Sequence, residues 1–396
     1  MASVRGGFSV KCDDRRAMTG EMAVLKTGAV LNGRFDPSQN KYVPPSEHAS
    51  LRTPVRAGTI IICRKNSEET IGAAALVQKD VPNLFLSDLL WELRPAVGVN
   101  RDWLVNNLKS DRVRKLIQIE ATGTQSTMKN ISQDRLLSVS VAIPPLPEQR
   151  KIAEILRTWD EAIEKLEALR KANLKRRIWM RSHLFTGRTR LPGYTGEWRE
   201  VTLGAVLTEH GLQGTGAEEV FSVSVHKDLI NQIEHLGRSF AAVDTGHYNR
   251  VLPGDIVYTK SPTGDFPLGI IKQSKISQQV IVSPLYGVFT PATQALGVIL
   301  DALFQSPIAV RNYLHPLVQK GAKNTIAITN RRFLEGKLHL PMDHAEQSAI
   351  ADVVKVSQAE LTAIEAEIEI LTRQKRGLMQ KLLTGEWRVT LEGSGA

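Results

Sequence analysis

Two stretches of the sequence carry apolar residues at helical spacing over an unusual length. In both, the apolar positions alternate in steps of four and three. The first stretch has Ile152, Leu156, Trp159, Ile163 and Leu166. The second has Ile350, Val354, Leu361, Ile364, Ile368 and Leu371, with Ser357 as a polar member of the series. This heptad pattern is typical of long helices that pair in a coiled coil.

Proline and glycine mark the ends of these helices. Pro147 suits a first helical turn, and Glu148 favours the positive end of the helix dipole. Gly187 and Gly385 suit C-terminal caps. Each helix is therefore predicted to have about 38 residues and to be roughly 57 Å long. The two stripes match in length and register, which favours an antiparallel pair with pseudo-two-fold symmetry. The alternative is that each helix packs only on its own globular part.

The second half of the sequence repeats the first. The pair Glu148-Gln149 recurs 198 residues later as Glu346-Gln347, and the segment at 184–187 recurs at 382–385. The same offset carries Gly123, Thr127 and Leu136 onto Gly321, Thr325 and Leu334. The sequence therefore predicts two copies of one unit, each with a variable part followed by a long helix.

The variable parts have mixed secondary-structure signals. Short apolar runs bounded by Gly and Pro predict strands at 59–63, 255–259 and 279–283. Amphipathic stretches predict one helix at 102–119 and one at 298–318, each before a polar loop. The expected fold class is α+β, with two mixed α/β domains joined by the two long helices. The expected boundaries are 1–143, 144–187, 188–342, 343–385 and a tail at 386–396.

Composition narrows the class of partner. The formal net charge is +10 and the sequence pI is about 9.6, which favours nucleic acid first and an anionic membrane surface second. A basic protein without a polyanionic partner is the alternative. The only cysteines are Cys12 and Cys63, so no disulfide framework is expected. No apolar run approaches a membrane span and the start lacks a signal-peptide pattern, so a cytoplasmic location is expected.

Polar and basic side chains in the predicted loops suit contacts to DNA bases, because Arg and Lys pair well with guanine, and Asn and Gln with adenine. For any single residue an ordinary turn or surface role is the alternative. The first set is Arg64, Lys65, Asn66, Gln125, Lys129 and Asn130. The second set is Lys260, Ser261, Lys323, Asn324, Asn330 and Arg331. In addition, residues 169–190 contain eight Lys or Arg and no acid, which suits phosphate or an acidic partner.

Motifs for catalysis are missing from the sequence. It contains no GxxxxGK[ST] loop, no HExxH, no CxxC and no histidine cluster with metal-ligand spacing. Glu335 and Lys337 form an E-x-K triplet, but no suitable acidic residue lies just upstream. We interpret that triplet as surface and expect a chain without catalytic or metal sites.

The alternation of two variable domains with two similar helices resembles the specificity subunit of type I restriction-modification systems. The helices open with IPPLPEQRKIAEIL and end in LFTG or LLTG, and GEWREVTLG opens the second variable domain. The resemblance covers the whole chain. It implies that each variable domain recognises one half of a bipartite, asymmetric site in double-stranded DNA. It also implies that the paired helices fix the gap between the halves.

The resemblance further implies partner subunits. Two methyltransferase subunits would bind S-adenosylmethionine, restriction subunits would use ATP and Mg²⁺, and this chain would hold no cofactor. Two alternatives are a scaffold of two interaction domains that does not bind DNA, and a fused restriction enzyme. The basic charge argues against the scaffold, and the missing motifs argue against the enzyme.

One sequence segment does not fit the 198-residue repeat. GEWREVTLG at 196–204 returns as GEWRVTLEG at 385–393, but the first copy lacks it before its variable part. The start of the chain is assigned late, or the C-terminal phrase completes the first domain in space. We favour the second explanation for the C-terminal phrase, and both can hold together.

Overall fold

In a computed structural model the chain divides into two compact units. The first comprises residues 1–167 and 366–396, and the second comprises 168–365. The structure describes residues 3–31, 33–125, 128–225, 227–236, 245–261, 263–320 and 326–390. Each long helix contributes its two halves to different units.

The described residues of the first unit form ten strands and three short helices before the first long helix. The strands are β1 Ser3–Gly6, β2 Ala23–Leu25, β3 Asn40–Tyr42, β4 Ile60–Cys63, β5 Lys65–Asn66, β6 Ala74–Leu76, β7 Leu84–Phe85, β8 Leu90–Arg94, β9 Thr122–Gln125 and β10 Met128–Asn130. The helices are α1 Arg101–Lys109, α2 Asp111–Glu120 and α3 Gln133–Ser138. The first long helix is α4 Leu146–His183.

The second unit has a similar order with extra strands and with an additional short helix, α5 (Gln232–Leu236), between them. Its strands are β11 Trp198–Thr202, β12 Leu207–Glu209, β13 Phe221–Ser224, β14 Asp228–Asn231, β15 Asn249–Val251, β16 Ile256–Thr259, β17 Ile270–Gln273, β18 Val280–Val282, β19 Gly287–Pro291, β20 Gln319–Lys320, β21 Ile326–Ala327 and β22 Lys337–Pro341. Its helices are α5 Gln232–Leu236, α6 Gln294–Phe304, α7 Pro307–Leu314 and α8 Asn330–Glu335, followed by the second long helix, α9 His344–Leu383.

A four-stranded sheet with the same topology lies at the centre of each unit. The order is β1-β8-β4-β6 in the first unit and β12-β19-β16-β17 in the second, and all pairs are antiparallel. Strand β4 is buried on both faces: Ile60 and Ile62 pack toward α1 and α2, while Ile61 and Cys63 pack against β2 and its neighbours. This explains its continuous apolar run, since a strand covered on both faces does not alternate.

The two amphipathic helices predicted at 102–119 and 298–318 are each two helices, so the predictions of single helices were wrong. The breaks are at serines. Ser110 ends α1 and caps α2 by accepting from the Val113 N–H at 3.4 Å, and Ser306 caps α7 by accepting from Ala309 N–H at 3.4 Å. A serine hydroxyl competes for backbone groups, and Pro307 cannot continue a helix as a hydrogen-bond donor.

In the first unit the start of α4 packs against the end of α9. Ile152 and Leu156 share a buried cluster with Leu382 and Leu383. Farther along, Lys375 donates to Asp160 at 2.6 Å. As residue numbers rise in α4 they fall in α9, so the two segments run antiparallel in this unit.

In the second unit the end of α4 packs against the start of α9. Met180 and Leu184 share a buried cluster with Ile350. Asn173 and Ser357 meet in the seam at 3.5 Å, between their Oδ1 and Oγ atoms, and both residues are buried. A polar pair in an otherwise apolar seam fixes the register of two helices at some cost in stability.

The tail after α9 lies against the first unit. Arg388 donates from Nε and Nη2 to both carboxylate oxygens of Glu148, each at 2.6 Å. Arg190 makes the same bidentate contact with Glu346 in the second unit, at 2.5 and 2.6 Å. The 198-residue offset relates Glu148 to Glu346 and Arg190 to Arg388. Arg388 is therefore equivalent to Arg190, although its sequence phrase matches the one around Arg199.

Candidate nucleic-acid interface

A small sheet in the first unit brings together most of the candidate side chains predicted there. It has the order β5-β10-β9 and follows directly from the buried strand β4. Lys65 pairs with Asn130, and Asn66 pairs with Lys129. Gln125 lies on β9 opposite Met128. A rigid, buried strand thus delivers polar residues to one edge of the unit, which is how a scaffold positions a binding loop.

These cross-strand pairs divide the candidates between two faces, since side chains alternate along a strand. Lys65 and Asn130 share one face. Asn66 and Lys129 share the other, where Lys129 Nζ lies 3.8 Å from a carboxylate oxygen of Glu68. Only one face at a time can approach a DNA groove, so the pairing separates two sets that the sequence did not distinguish.

Two candidates in the first unit, Arg64 and Asn66, also contact nearby residues of the fold. Asn66 accepts from the Ser67 N–H at 2.8 Å, and its amide nitrogen lies 3.9 Å from the Cys63 sulfur. The Arg64 guanidinium lies 5.3 Å from the centre of the Trp91 ring, within cation–π range. These two side chains therefore shape the loop as well as carrying polar groups.

In the second unit Glu209, on β12, links two of the predicted candidates. It accepts from the Asn330 amide at 2.6 Å. It also raises the pKa of Lys260, although burial has the larger effect and lowers the pKa of that lysine overall. Lys260 follows β16 as Arg64 and Lys65 follow β4, so the equivalent edge of the second unit also carries basic and amide groups.

The remaining candidates of the second unit have different surroundings. Ser261 donates its N–H to Thr259 Oγ1 at 3.1 Å, in the turn after β16. The Arg331 side chain is 91% exposed and lies 3.5 Å from Glu335 in the next helical turn. Lys323 and Asn324 lie outside the described residues, as do Gly321 and Thr325 of the repeat.

Several residues of the basic run at 169–190 form ion pairs or hydrogen bonds with other residues of the chain. Arg170 and Arg176 form ion pairs with Glu365 and Glu360. Arg177 donates to Gln305 at 2.8 Å, and Arg190 holds Glu346. Half of its eight basic residues thus bind groups within the second unit, so the run is less available to phosphate than its sequence suggests.

The predicted helix-pairing residues differ in burial. Those that are buried are Ile152, Leu156, Ile163, Ile350, Leu361 and Ile364. Those that are half-buried are Trp159, Leu166, Val354, Ile368 and Leu371.

Sequence reasoning missed the two arginine–glutamate pairs at the starts of the long helices. Glu148 and Glu346 are buried, and so are the neighbours Gln149 and Gln347. The 198-residue offset, applied to Arg190 as well as to the Glu-Gln pair, was the signal that could have revealed them. It also missed Arg114, which donates to the Glu69 carbonyl at 2.6 Å and tethers the loop beside Lys129.

Within the described residues, no group of His, Cys, Asp or Glu is arranged to hold a metal ion. Nor does any described helix combine the length and apolarity that a membrane crossing requires.

Comparison with known proteins identifies relatives of the chain. Residues 2–176 match the family described as the type I restriction modification DNA specificity domain. The specificity subunit of type I restriction enzyme EcoEI from Escherichia coli is 23% identical over 170 residues. Those residues are 42% of this chain but only 29% of that relative's length. By sequence, residues 2–176 are therefore similar to a specificity domain of this type.

Two further matches, one in sequence and one in fold, span both units. A protein assigned as the MjaX type I specificity subunit of Methanocaldococcus jannaschii is 25% identical over 355 residues, or 84% of this chain and 79% of that protein. A crystal structure of the S subunit of the type I restriction-modification system of M. genitalium has a TM-score of 0.59 at 17% identity, covering 96% and 93% of the two chains. The α+β fold class and the predicted resemblance are confirmed.

Proposed function

We propose, on the premise that this chain is a relative of type I restriction-modification specificity subunits, that it recognises a bipartite, asymmetric site in double-stranded DNA. The observation that supports this most is the edge beyond the central sheet in each unit. After the equivalent strands β4 and β16, both units place basic and polar side chains, but of different identity. A shared scaffold with different contact groups suits two different half-sites.

The chemistry of these edges suits a DNA groove. Lys65 and Asn130 lie side by side on one strand pair, so they can offer a cationic donor and an amide to adjacent base pairs. In the second unit Lys260 and Asn330 provide the same two types of group around Glu209. The net charge of +10 supplies the attraction to phosphate that positions such contacts.

The partners belong to the same proposal. The two long helices would dock two methyltransferase subunits and separate the half-sites, and restriction subunits would complete the complex. This chain would be non-catalytic and would act in the cytoplasm. S-adenosylmethionine, ATP and Mg²⁺ would bind to the partner subunits. Exposed apolar residues on α4, among them Ile178 and Trp179, support a protein partner on that helix.

The test is selection of binding sites from a random duplex pool by the full chain, alone and with its methyltransferase, at low and moderate salt. Enrichment of a split asymmetric motif with a fixed gap would support two recognition units on a spacer. Enrichment of one half-site would restrict recognition to one unit. Absence of enrichment at both salt concentrations would overturn DNA recognition and favour the scaffold of two interaction domains.

A further inference from the structure

Phe8 lies at the same edge of the first unit's central sheet as Arg64 and Lys65. Strand β1 ends at Gly6, opposite Trp91 of β8, and β8 begins opposite the end of β4. The end of β1, the start of β8 and the end of β4 therefore meet at one edge. Phe8 follows β1 there, and Arg64 and Lys65 follow or begin the strand after β4.

One segment of the chain joins Phe8 to Arg64 through backbone hydrogen bonds. The Phe8 N–H donates to the Leu86 carbonyl at 3.4 Å, and the Arg64 N–H donates to the Leu89 carbonyl at 3.0 Å. Phe8 also forms a parallel bridge with Ser87. Because only this segment separates them, the two residues can approach the same few base pairs of a duplex.

Gly7 fixes the backbone just before Phe8. A Cβ at this position would lie 2.1 Å from the Ser87 carbonyl oxygen and 2.5 Å from the Leu86 carbonyl oxygen, so a larger residue would displace the backbone. The Gly7 N–H donates to the Leu90 carbonyl at 3.2 Å. This close approach holds Phe8 against a buried sheet, and a side chain supported in this way makes a reproducible contact with a ligand.

Phe8 is 52% exposed in spite of its fixed backbone. Its surroundings are basic, since Arg5, Arg64 and Lys65 outnumber Asp88, the acidic residue of the connecting segment. A single exposed apolar side chain is common on a protein surface, but one held among cations suits an anionic ligand that also carries apolar groups. Double-stranded DNA is such a ligand, because thymine methyl groups lie in its major groove between the phosphate backbones.

The second unit has a similar feature at the equivalent strand. Strand β12 takes the place of β1 in the sheet order, and Leu212, three residues after its end, is 40% exposed. Its backbone is also held, since the Arg250 N–H donates to the Leu212 carbonyl at 2.9 Å. Each unit thus places an exposed apolar side chain at the edge that carries its basic candidates, which favours a role in recognition over accidental exposure.

We infer that Phe8 contacts the 5-methyl group of a thymine in the half-site bound by the first unit. The inference rests on the proposed DNA recognition and adds to it an apolar base contact beside the polar ones. Burial of the methyl group against the ring removes both from water, which is the source of the affinity. Because about half of the residue is covered by the fold, Phe8 suits a groove-facing methyl group better than insertion between stacked base pairs.

The test uses the full chain and the duplex selected from the random pool. Each thymine of the site is replaced in turn by uracil, which pairs identically but lacks the methyl group, and the affinity is measured by fluorescence anisotropy. We expect one replacement to weaken binding by the parent chain about fourfold, the effect of leaving one methyl group unburied. Phe8→Ala should bind the thymine and uracil duplexes equally, and Phe8→Leu, which keeps an apolar contact, should retain most of the difference.

Two variants serve as matched controls. Leu212→Ala removes the exposed apolar side chain of the second unit, and Val97→Ala removes a fully exposed one beyond the other end of β8. Both should keep the uracil effect that the parent chain shows at the thymine contacted by Phe8. The uracil effect is a ratio of two affinities of the same protein, so a partial folding defect in Phe8→Ala cancels from it.

The possible outcomes separate this inference from the proposed function. A selected site without thymine, no uracil effect in the parent chain, or an equal effect in the parent and Phe8→Ala would overturn the inference and leave DNA recognition intact. Loss of methyltransferase association in Phe8→Ala with an unchanged uracil effect would assign Phe8 to a protein interface and overturn it as well. A pool without any selected site would refute DNA recognition itself, and the inference with it.

Discussion

Both units contain a bidentate arginine–glutamate ion pair, but the two pairs differ in how deeply they are buried. In the first, Arg388 holds Glu148, and the arginine side chain is 68% exposed. In the second, Arg190 holds Glu346, and the arginine side chain is 29% exposed. Trp198 adds a third donor to Glu346 and covers it. The two ion pairs have the same geometry, but breaking the one in the second unit costs more free energy. The reason is that the low dielectric of a covered site strengthens an ion pair and raises the penalty for breaking it.

The helix seam shows a second difference between the units. The second unit has Asn173 against Ser357, where the 198-residue offset places Leu371 and Trp159 in the first unit. The Asn173 amide nitrogen is buried and has no hydrogen-bond partner among the described residues. The helix seam of the second unit is therefore less stable than an apolar seam would be. Its Arg190–Glu346 ion pair, in contrast, is the more deeply buried of the two ion pairs.

The largest effect on stability is expected from removing the buried Arg190–Glu346 ion pair. Arg190→Ala leaves the Glu346 carboxylate buried with Trp198 as its remaining donor, and we expect it to lower the free energy of unfolding by about 3 kcal/mol. Arg388→Ala should cost clearly less, since water can reach Glu148 once the exposed arginine is gone. Urea unfolding with hydrogen exchange of each unit measures both, because the two units need not unfold together.

Arg170→Ala is the control for these variants. Its ion pair with Glu365 is exposed on both sides, so we expect a change below about 0.5 kcal/mol. Equal losses for Arg190→Ala and Arg388→Ala would contradict the difference that we attribute to burial.

The next effect concerns the two recognition edges. Lys65→Ala should weaken DNA binding by about 1–3 kcal/mol and relax base preference in one half of the site only. Lys260→Ala should relax the other half. Site selection with each variant measures this, with Lys355→Ala on α9 as a control for loss of charge. Relaxation of both halves by one substitution would show that the two edges do not act separately.

A smaller effect is expected in the helix seam. Asn173→Leu replaces a poorly bonded buried amide with the residue type found at the equivalent position 371, and should stabilise the second unit by about 1 kcal/mol. The reciprocal change Leu371→Asn should destabilise the first unit by a similar amount. Hydrogen exchange of the two helix segments measures both. Destabilisation by Asn173→Leu would mean that the amide is satisfied in the folded protein.

The last effect is a pH dependence that Lys109 gives to the first unit. Burial lowers the pKa of Lys109 to about 8, Asp160 opposes this, and Lys375 and Arg34 add to it. Between about pH 8 and the ordinary lysine pKa the unfolded chain binds more protons, so Lys109 makes stability rise with pH in that window. Lys109→Met should unfold at a higher temperature than the parent chain at pH 7, and the difference should shrink by pH 10.5.

The comparison with Lys109→Met also removes other alkaline effects. Burial raises the pKa of Tyr258 and Tyr313 in the second unit, so both chains lose stability equally as those tyrosines ionise in the unfolded state. A difference between variant and parent that stays constant from pH 7 to 10.5 would contradict the lowered pKa of Lys109.

The sequence by itself determined the features that repeat along the chain. The heptad stripes predicted two long helices, and α4 and α9 have 38 and 40 residues. The 198-residue offset predicted two copies of one unit, and both central sheets have the same strand order. Such periodic signals are local, because each apolar position follows from the pitch of a helix or the pleat of a strand.

The sequence offered two equivalents of Arg388, Arg190 by the 198-residue offset and Arg199 by the GEWR segment, and only the tertiary structure decided between them and decided which residues share a face. Arg388 lies where Arg190 lies, although its phrase GEWR matches the one around Arg199, because the buried Glu148 selects the arginine that can reach it. Strand register placed Lys65 beside Asn130 and Lys129 beside Asn66. Burial, ion pairing and register arise between segments distant in sequence, so the order of residues along the chain does not contain them locally.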